Sequence, residues 1–272
     1  MTSQLLIYES AVPVSNARHA DVSVEVGADY GFSRRVNSVP LMAVEFPHAA
    51  AEYAIVFSGS AEAFIPAVIL GMRGDENLYL TQQGAWQAKY IPAFVRRYPF
   101  VFSSTQDGKT FTLCIDEAFP GFNRDGRGQR LFGADKKPSA YVSNVLKFLE
   151  QYQAEFRRTQ AFCQKLKELN LLEPMRAQAK LKSGEQLSLT GFMAVNRDRL
   201  KALSAEKLAE LAKTDELELL YLHLQSMRNF AAMVERLGGK QAAEPAQPPI
   251  APERALKGDK SAEGNRAARV RK

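Results

Sequence analysis

Hydrophobic and polar positions alternate with a period of two through much of the first half of the chain, which is typical of half-buried β-strands. Val22, Val24 and Val26 show this alternation first, just ahead of a glycine-containing turn. Further runs with strand-like composition are AEYAIVF, AFIPAVILGM, NLYLT, YPFVFSST and KTFTLCID. We therefore predict one antiparallel or mixed sheet over residues 20–117.

Two positions in this region indicate how its strands connect. Asp107-Gly108 separates YPFVFSST from KTFTLCID, and an Asp-Gly pair between two β-rich runs predicts a hairpin. Pro66 interrupts AFIPAVILGM. Because proline cannot donate a backbone hydrogen bond to a ladder, we expect Pro66 on an edge strand or at a bulge.

The period changes from 2 to 3.6 after about Ser139. An apolar stripe from Val142 to Leu169 predicts one long helix, or two helices in line, and Ser139 is a suitable N-cap. The switch from a two-residue to a helical period marks the end of the sheet region.

The last third of the chain combines a small β unit with helices. Ser183-Gly184 lies between two alternating runs and predicts a hairpin over residues 180–195. Helices are predicted at Arg199–Leu211 and from Thr214-Asp215 to the glycine pair Gly238-Gly239. This order favours an α+β protein, with an N-terminal antiparallel or mixed sheet packed by the long helix and with the hairpin and C-terminal helices alongside.

Composition and charge divide the chain into a body and a tail. The 272 residues are 46% hydrophobic and 24% charged, as in globular proteins, and the net charge is +6. Residues 239–272 hold eight basic and four acidic side chains, so +4 of this charge lies there. These residues include few large aliphatic side chains to offset the entropy of ordering them. We predict a single domain over residues 1–238 and a disordered basic tail over 239–272.

The charge distribution also bears on partners and location. A nearly neutral body argues against a nucleic-acid groove, leaving at most a weak contact of the tail with nucleic acid or an anionic membrane surface. The N-terminus lacks the features of a secretory signal, and the most apolar stretch, Phe64 to Gly71, is far too short to cross a bilayer. Cys114 and Cys163 lack the spacing of a zinc or redox pair and suggest buried thiols in a reducing compartment. We expect a soluble cytoplasmic protein.

Few residues have the spacing of a catalytic or metal site. His19, His48 and His223 are too far from one another and from cysteine for a metal site, so no metal or cofactor is predicted. Structural roles are favoured for these histidines. The alternative is a small-molecule enzyme of unknown reaction, in which His48 or His223 works with a carboxylate such as Asp116 or Glu117.

Two short motifs resemble known sites but fail in detail. Ser204-Ala-Glu-Lys207 matches an SxxK pattern, yet the KTG-like triplet Lys182-Ser183-Gly184 precedes it rather than following it. The glycine-rich stretch Gly121–Gly128 lacks carboxylates at the end positions of a calcium loop and lacks a phosphate-loop lysine. We interpret the first as a helix start and the second as a polar surface loop.

The most distinctive segment is residues 86–100, WQAKYIPAFVRRYPF, which combines the only tryptophan, four other aromatic rings and an arginine pair. Such residues can form a core corner, or they can bind a ligand or partner. In the second case, our hypothesis is that the arginines bind an acidic group while the rings bury an apolar part. The candidate binding residues are Trp86, Tyr90, Arg96, Arg97, Tyr98 and Phe100.

This segment is the first of five blocks that resemble, in the same order, blocks of the SapC family of bacterial proteins. The other four are LCIDEAFPGF, LFGADKKPSAYV, LTGFMAVNRDRLKALSAEKLAEL and ELELLYLHLQSMRNFAAMV. The resemblance extends from about Ala11 to Leu237 and omits the tail. The family has no defining catalytic residue that could be assigned to a position of this chain.

The family takes its name from a gene in a surface-layer locus, so the resemblance implies a link to surface-layer or envelope biology. Members are also labelled peptide-transport permeases, which conflicts with a chain that has no stretch long enough to span a membrane. The resemblance implies a noncatalytic cytoplasmic accessory or binding protein. Its expected partner is an envelope or surface-layer protein, a peptide or a small acidic ligand.

Overall fold

The computed structural model describes residues 5–59, 63–105, 110–181 and 183–243, with side chains described as far as Leu237. Antiparallel sheets and helices, one of them 29 residues long, confirm the predicted α+β class. The turn predicted at Asp107-Gly108 and the rest of the predicted tail, residues 244–272, lie outside these ranges.

The largest sheet has five strands in the order β10-β11-β4-β5-β3. Their bounds are β3 Ser38–Pro40, β4 Ile55–Gly59, β5 Phe64–Ile69, β10 Leu172–Lys180 and β11 Gln186–Val195. β10 and β11 confirm the hairpin predicted around Ser183-Gly184, and β11 joins the sheet by pairing with β4.

Pro66 occupies an inner strand whose pairings show no register shift, so the prediction of an edge strand or a bulge is wrong. β5 pairs with β4 on one side and β3 on the other. The Leu41 backbone N–H donates to the Pro66 carbonyl at 2.9 Å, and proline has no N–H with which to return a bond. The ladder between β3 and β5 therefore ends at the Pro40–Ala67 pair.

The prediction of one sheet over residues 20–117 is wrong, because the strands of this region are divided among the five-stranded sheet and two three-stranded sheets. One has the order β1-β7-β6 and the other β8-β2-β9. Their bounds are β1 Ala11–Pro13, β2 Ser23–Val24, β6 Phe100–Ser104, β7 Phe111–Asp116, β8 Phe122–Asn123 and β9 Gln129–Arg130. Pairing of β6 with β7 confirms the hairpin predicted there. The strand predicted at NLYLT is wrong, because this stretch is turn and irregular structure with one bridge from Leu80 to Trp86.

The long helix is α4, Ala140–Glu168, and the Ser139 hydroxyl caps it by accepting from the Val142 N–H. It is one helix rather than two. The short helices before it are α1 Asn16–His19, α2 Phe46–Ala49 and α3 Ala93–Arg96. Those after it are α5 Arg197–Lys201, α6 Ala205–Lys213, α7 Glu216–Ser226 and α8 Asn229–Ala243.

The two C-terminal helix predictions are corrected in their bounds. The first is two helices, with Ser204 capping α6. The second is also two, α7 and α8, and α8 continues past Gly238-Gly239 to Ala243. Asp215 precedes α7 with a left-handed backbone, φ 59°, and its side chain makes no capping bond.

Helix α4 packs against three hydrophobic cores, the smallest of which includes Tyr152. Leu149 and Val142, near its start, pack with Phe100 and Ile115 beside the smaller sheets. Its C-terminal half contributes to the core of the five-stranded sheet. Although α4 is long, neither it nor any other helix within the described ranges is apolar enough along its length to cross a membrane.

Candidate functional site

The six candidate binding residues do not form one cluster. Trp86 and Phe100 take structural positions. The Trp86 indole N–H donates to the Tyr53 hydroxyl at 2.8 Å, and that hydroxyl donates to the Tyr90 carbonyl. Phe100 is 2% exposed and lies in the core of the smaller sheets. These two rings support the segment from inside.

The two consecutive arginines have opposite environments. Arg97 is only 4% exposed, and its guanidinium lies 4.3 Å from the Phe94 ring centroid and 4.9 Å from that of Tyr152. Burial raises the pKa of the Tyr152 hydroxyl to about 12, although the Arg97 charge opposes that rise. Arg96 is exposed. It is therefore the member of the pair that faces solvent.

Arg96 is the centre of a surface that we call the Arg96 surface, formed by His48, Tyr90, Arg96 and Phe148. The Arg96 guanidinium lies 5.8 Å from the Tyr90 ring centroid and 5.5 Å from that of Phe148. It is oriented by a 2.9 Å bond to the Ile91 carbonyl. The exposed His48 ring stacks on Tyr90 at 5.4 Å. Among the described residues, no carboxylate forms an ion pair with Arg96.

A buried carboxylate, Glu45, holds this surface from below. It is 4% exposed and accepts from the Tyr90 hydroxyl at 2.7 Å, the Ala93 N–H at 2.7 Å and the Met42 N–H at 2.8 Å. Burial raises the pKa of the Tyr90 hydroxyl, and the Glu45 charge raises it further. Tyr90 therefore remains a neutral donor. This network fixes both Tyr90 and the start of α3.

Tyr98 belongs to a different site, which we call the acidic cleft. The cleft has a volume of about 500 Å³, within the usual range of about 300–1,000 Å³ for ligand pockets. The aromatic rings that line it are Phe32, Tyr98 and Phe119, and the carboxylates are Glu9, Glu25 and Asp29. Phe32 stacks on Tyr98 at 4.1 Å, and Phe119 meets Tyr98 edge to face at 5.4 Å. Apolar walls and acidic groups therefore line one space.

Asp116 is the buried carboxylate beneath this cleft. Its side-chain oxygens accept from the Glu9 N–H at 2.8 Å, the Ser10 N–H at 2.9 Å, the Ala118 N–H at 3.1 Å and the Tyr98 hydroxyl at 3.2 Å. Glu9, Ala118 and Tyr98 all line the cleft. Asp116 thus ties three parts of the cleft wall together.

The absence of a side chain at Gly121 lets two loops of the cleft meet. The Glu25 N–H donates to the Gly121 carbonyl at 2.9 Å. A Cβ atom on Gly121 would collide with the Glu25 carbonyl oxygen. Because backbone cannot move aside as a side-chain end can, this contact requires glycine.

The structure does not bring together the histidine–carboxylate pairs of the enzyme alternative. His223 is fully buried, with Nε2 accepting from the Val195 N–H at 3.0 Å and Nδ1 2.9 Å from the Ile55 carbonyl. Burial lowers its pKa to about 4. His48 stacks on Tyr90. Glu117 instead pairs with Arg18 and His19.

Metal binding was not predicted from the sequence. Within the part of the chain that the structure describes, no three or more His, Cys, Asp or Glu side chains are grouped to hold a metal ion.

Sequence reasoning missed Glu45 and most of the cleft. The signal for Glu45 is a single carboxylate inside the apolar run PLMAVEF, since a buried charge requires partners. Asp29 lies between two glycines in GADYG, a pattern that indicates only a turn. Nothing in the local sequence connects Glu9, Asp29 and Tyr98, which meet only in the fold.

Comparison with known proteins gives one family. No curated protein and no solved structure shows significant similarity to the chain. The family model described as SapC matches residues 14–233, and this range contains the Arg96 surface and all of the acidic cleft except Glu9 and the adjoining N-terminal residues. Because the match covers well over half of the 272 residues, the chain belongs to the SapC family.

Proposed function

We propose that this protein is a noncatalytic binding protein of the cytoplasm that serves surface-layer or envelope proteins, and that the Arg96 surface contacts an acidic group of its partner. The link to surface layers rests on family membership. The contact rests on one observation: Arg96 is exposed, is backed by two rings and has no carboxylate paired with it among the described residues.

This arrangement suits recognition of a carboxylate beside an apolar group. A guanidinium forms strong, directional bonds to a carboxylate, and adjoining rings can cover the apolar part. Arginine and tyrosine are also the residues that most often dominate binding energy at interfaces. Because Glu45 and the Ile91 carbonyl already orient Tyr90 and Arg96, little side-chain entropy is lost on binding.

The proposal assigns separate roles to the six candidate residues. Tyr90 and Arg96 contact the partner. Trp86, Arg97 and Phe100 hold the segment in place from inside. Tyr98 belongs to the acidic cleft, where the local charge has the opposite sign.

The absence of a catalytic role is supported by His48 and His223, the two histidines that the enzyme alternative names. Both ring nitrogens of His223 face backbone groups, and the exposed His48 contacts a tyrosine ring. A general base must be within hydrogen-bond reach of the proton that it removes. Neither ring is paired with Asp116 or Glu117, the carboxylates that the enzyme alternative requires.

Site-specific photo-crosslinking in the native host tests the proposal. His48→p-benzoylphenylalanine places the crosslinker on the exposed edge of the Arg96 surface and leaves the bond between Tyr90 and Glu45 intact. Tyr221→p-benzoylphenylalanine is the control, on a tyrosine that is 43% exposed on α7. We expect position 48 alone to capture a surface-layer or envelope protein, identified by mass spectrometry. Identical products from both positions, or capture at position 48 of proteins unrelated to the envelope only, would contradict the proposal.

A second variant tests the role of charge. Arg96→Ala in the crosslinking background should reduce capture at position 48 by about tenfold, the effect of one strong charge-assisted contact. Arg158→Ala is the control, because Arg158 is 76% exposed on α4. Equal capture by both variants would show that the Arg96 charge is not recognised.

A further inference from the structure

We infer that the acidic cleft binds a basic side chain, an arginine or lysine next to an apolar residue in a peptide segment. The cleft differs from the Arg96 surface in place and in charge. The inference therefore stands independently of the proposed function. It rests on the charge balance, the ring wall and the rigidity of the cleft.

The charge balance leaves the cleft negative. Glu25 is partly neutralised by Arg127, at 2.9 Å. Glu9 and Asp29 are exposed, and no basic side chain within the described ranges forms an ion pair with either. The cleft lining includes no lysine, arginine or histidine. A concave space with carboxylates on low-dielectric walls concentrates cations.

The ring wall adds a preference for a cation with an apolar portion. Tyr98 contacts both Phe32 and Phe119, and all three rings line the space. The Tyr98 hydroxyl is engaged with Asp116, so Tyr98 contributes its ring rather than a free donor. Aromatic faces attract guanidinium and ammonium groups and also pack against their aliphatic stems. A small inorganic cation would make no use of these rings.

The cleft is rigid before any ligand arrives. Asp116 fixes Glu9, Ala118 and Tyr98, while Asp29 accepts from the Gly31 N–H at 2.8 Å. Groups that are already in place lose little freedom on binding. The volume of about 500 Å³ suits one or two side chains rather than a folded partner.

Calorimetry on the full chain with two matched peptides tests this inference. The probe is acetyl-Leu-Arg-amide, and its control is acetyl-Leu-citrulline-amide, which has nearly the same shape without the charge. We expect the arginine peptide to bind about tenfold or more tightly than the citrulline peptide. Equal affinity for the two, or no binding of either at millimolar concentration, would overturn the inference.

Two double variants test where on the protein the arginine peptide binds. Glu9→Gln combined with Asp29→Asn should weaken the arginine peptide by about tenfold and leave the citrulline peptide unchanged. Asp29→Asn keeps an oxygen that can accept from Gly31. The matched control is Asp75→Asn combined with Glu150→Gln, two exposed carboxylates that do not line the cleft. An unchanged affinity in the cleft double variant would place the binding elsewhere and overturn the assignment.

A salt titration of the unmodified protein gives a test that does not depend on variants folding. Raising the salt to about 1 M shortens the screening length to about 3 Å. The affinity for the arginine peptide should fall several-fold more than that for the citrulline peptide. Equal salt dependence of the two peptides would contradict recognition of the charge.

Discussion

The Arg96 surface and the acidic cleft are built in the same way but present opposite charges. Each stands on one buried carboxylate that accepts from a tyrosine hydroxyl and from backbone N–H groups. Glu45 holds Tyr90 in the first, and Asp116 holds Tyr98 in the second. The buried carboxylates fix geometry, while the exposed groups above them set the sign of the charge.

This difference indicates that burial, rather than residue type, separates the charged side chains that hold the fold from those that are accessible to a partner. Arg96 and Arg97 are adjacent and identical, yet one is exposed and the other packs between rings in the interior. The same holds for the acidic residues, since Asp116 is fully buried and Asp29 is exposed. Substitutions of buried groups should therefore change stability, and substitutions of exposed groups should change binding.

The largest effect is expected for Asp116→Ala. This change removes the acceptor of four hydrogen bonds, three of which come from backbone N–H groups. Water can replace the lost carboxylate only in part. We expect the free energy of unfolding to fall by about 4 kcal/mol, measured by urea denaturation. Asp116→Asn keeps one acceptor oxygen and should lose clearly less. A loss below about 1 kcal/mol for the alanine variant would contradict the anchoring role.

A pH titration sharpens the comparison by identifying the contribution of a buried polar group outside both regions. His223 has an ordinary pKa of 6.5, lowered by burial to about 4 in the folded protein. Below pH 6.5 the unfolded chain takes up a proton that the folded protein does not. The stability that His223 contributes is thus complete above pH 6.5 and declines by about 3 kcal/mol as the pH falls to about 4.

His223→Gln is the control for this titration, because it removes the titrating ring. Denaturation midpoints of the two proteins, measured from pH 7 to pH 4, should show the steeper decline in the unmodified protein. Parallel declines would mean that His223 is protonated in the folded state and that its environment differs from the one described.

Glu45→Gln should have a smaller effect. Glutamine retains one oxygen for Tyr90 and Ala93, but its amide N–H₂ would face the Met42 N–H, which now bonds the second Glu45 oxygen. One lost bond to a charged acceptor and one opposed donor predict a destabilisation of about 2 kcal/mol by urea denaturation. A neutral result would show that Glu45 does not anchor the Arg96 surface as Asp116 anchors the cleft.

The smallest effect on stability is expected for Arg96→Ala. Surface substitutions of this kind change the free energy of unfolding by about 0.5 kcal/mol or less. The melting temperature should therefore remain close to that of the unmodified protein, while crosslinking from position 48 declines. A large loss of stability would assign Arg96 to the structural group with Arg97 and remove the contrast between them.

Local patterns predicted those elements whose stability is itself local. The apolar stripe and Ser139 indicated α4, and turn residues indicated the hairpins. The break between α7 and α8 could not be seen, because its cause is distant in sequence. Asn229 donates to the Ala50 and Tyr53 carbonyls at 2.8 and 2.9 Å, and Ser226 accepts from the Ile55 N–H.

The candidate site was predictable only in part for the same reason. Residues 86–100 stood out through their rings and arginines, and this segment does contribute to both regions. Which arginine is buried depends on residues distant in sequence, because Arg97 packs on the Tyr152 ring of α4. The cleft assembles from segments around residues 9, 29, 98 and 119, and no spacing in the sequence links them.

The central claim is that one short segment separates two contact regions of opposite charge. The most direct test is a pair of amide NMR titrations of the labelled protein, one with acetyl-Leu-Arg-amide and one with acetyl-Leu-Glu-amide. We predict that the arginine peptide shifts the signals of Gly27 and Gly31 in the cleft, and that the glutamate peptide shifts those of Lys89 and Arg96. If both peptides shift the same signals, or if neither pair of signals shifts with its peptide, the account is contradicted.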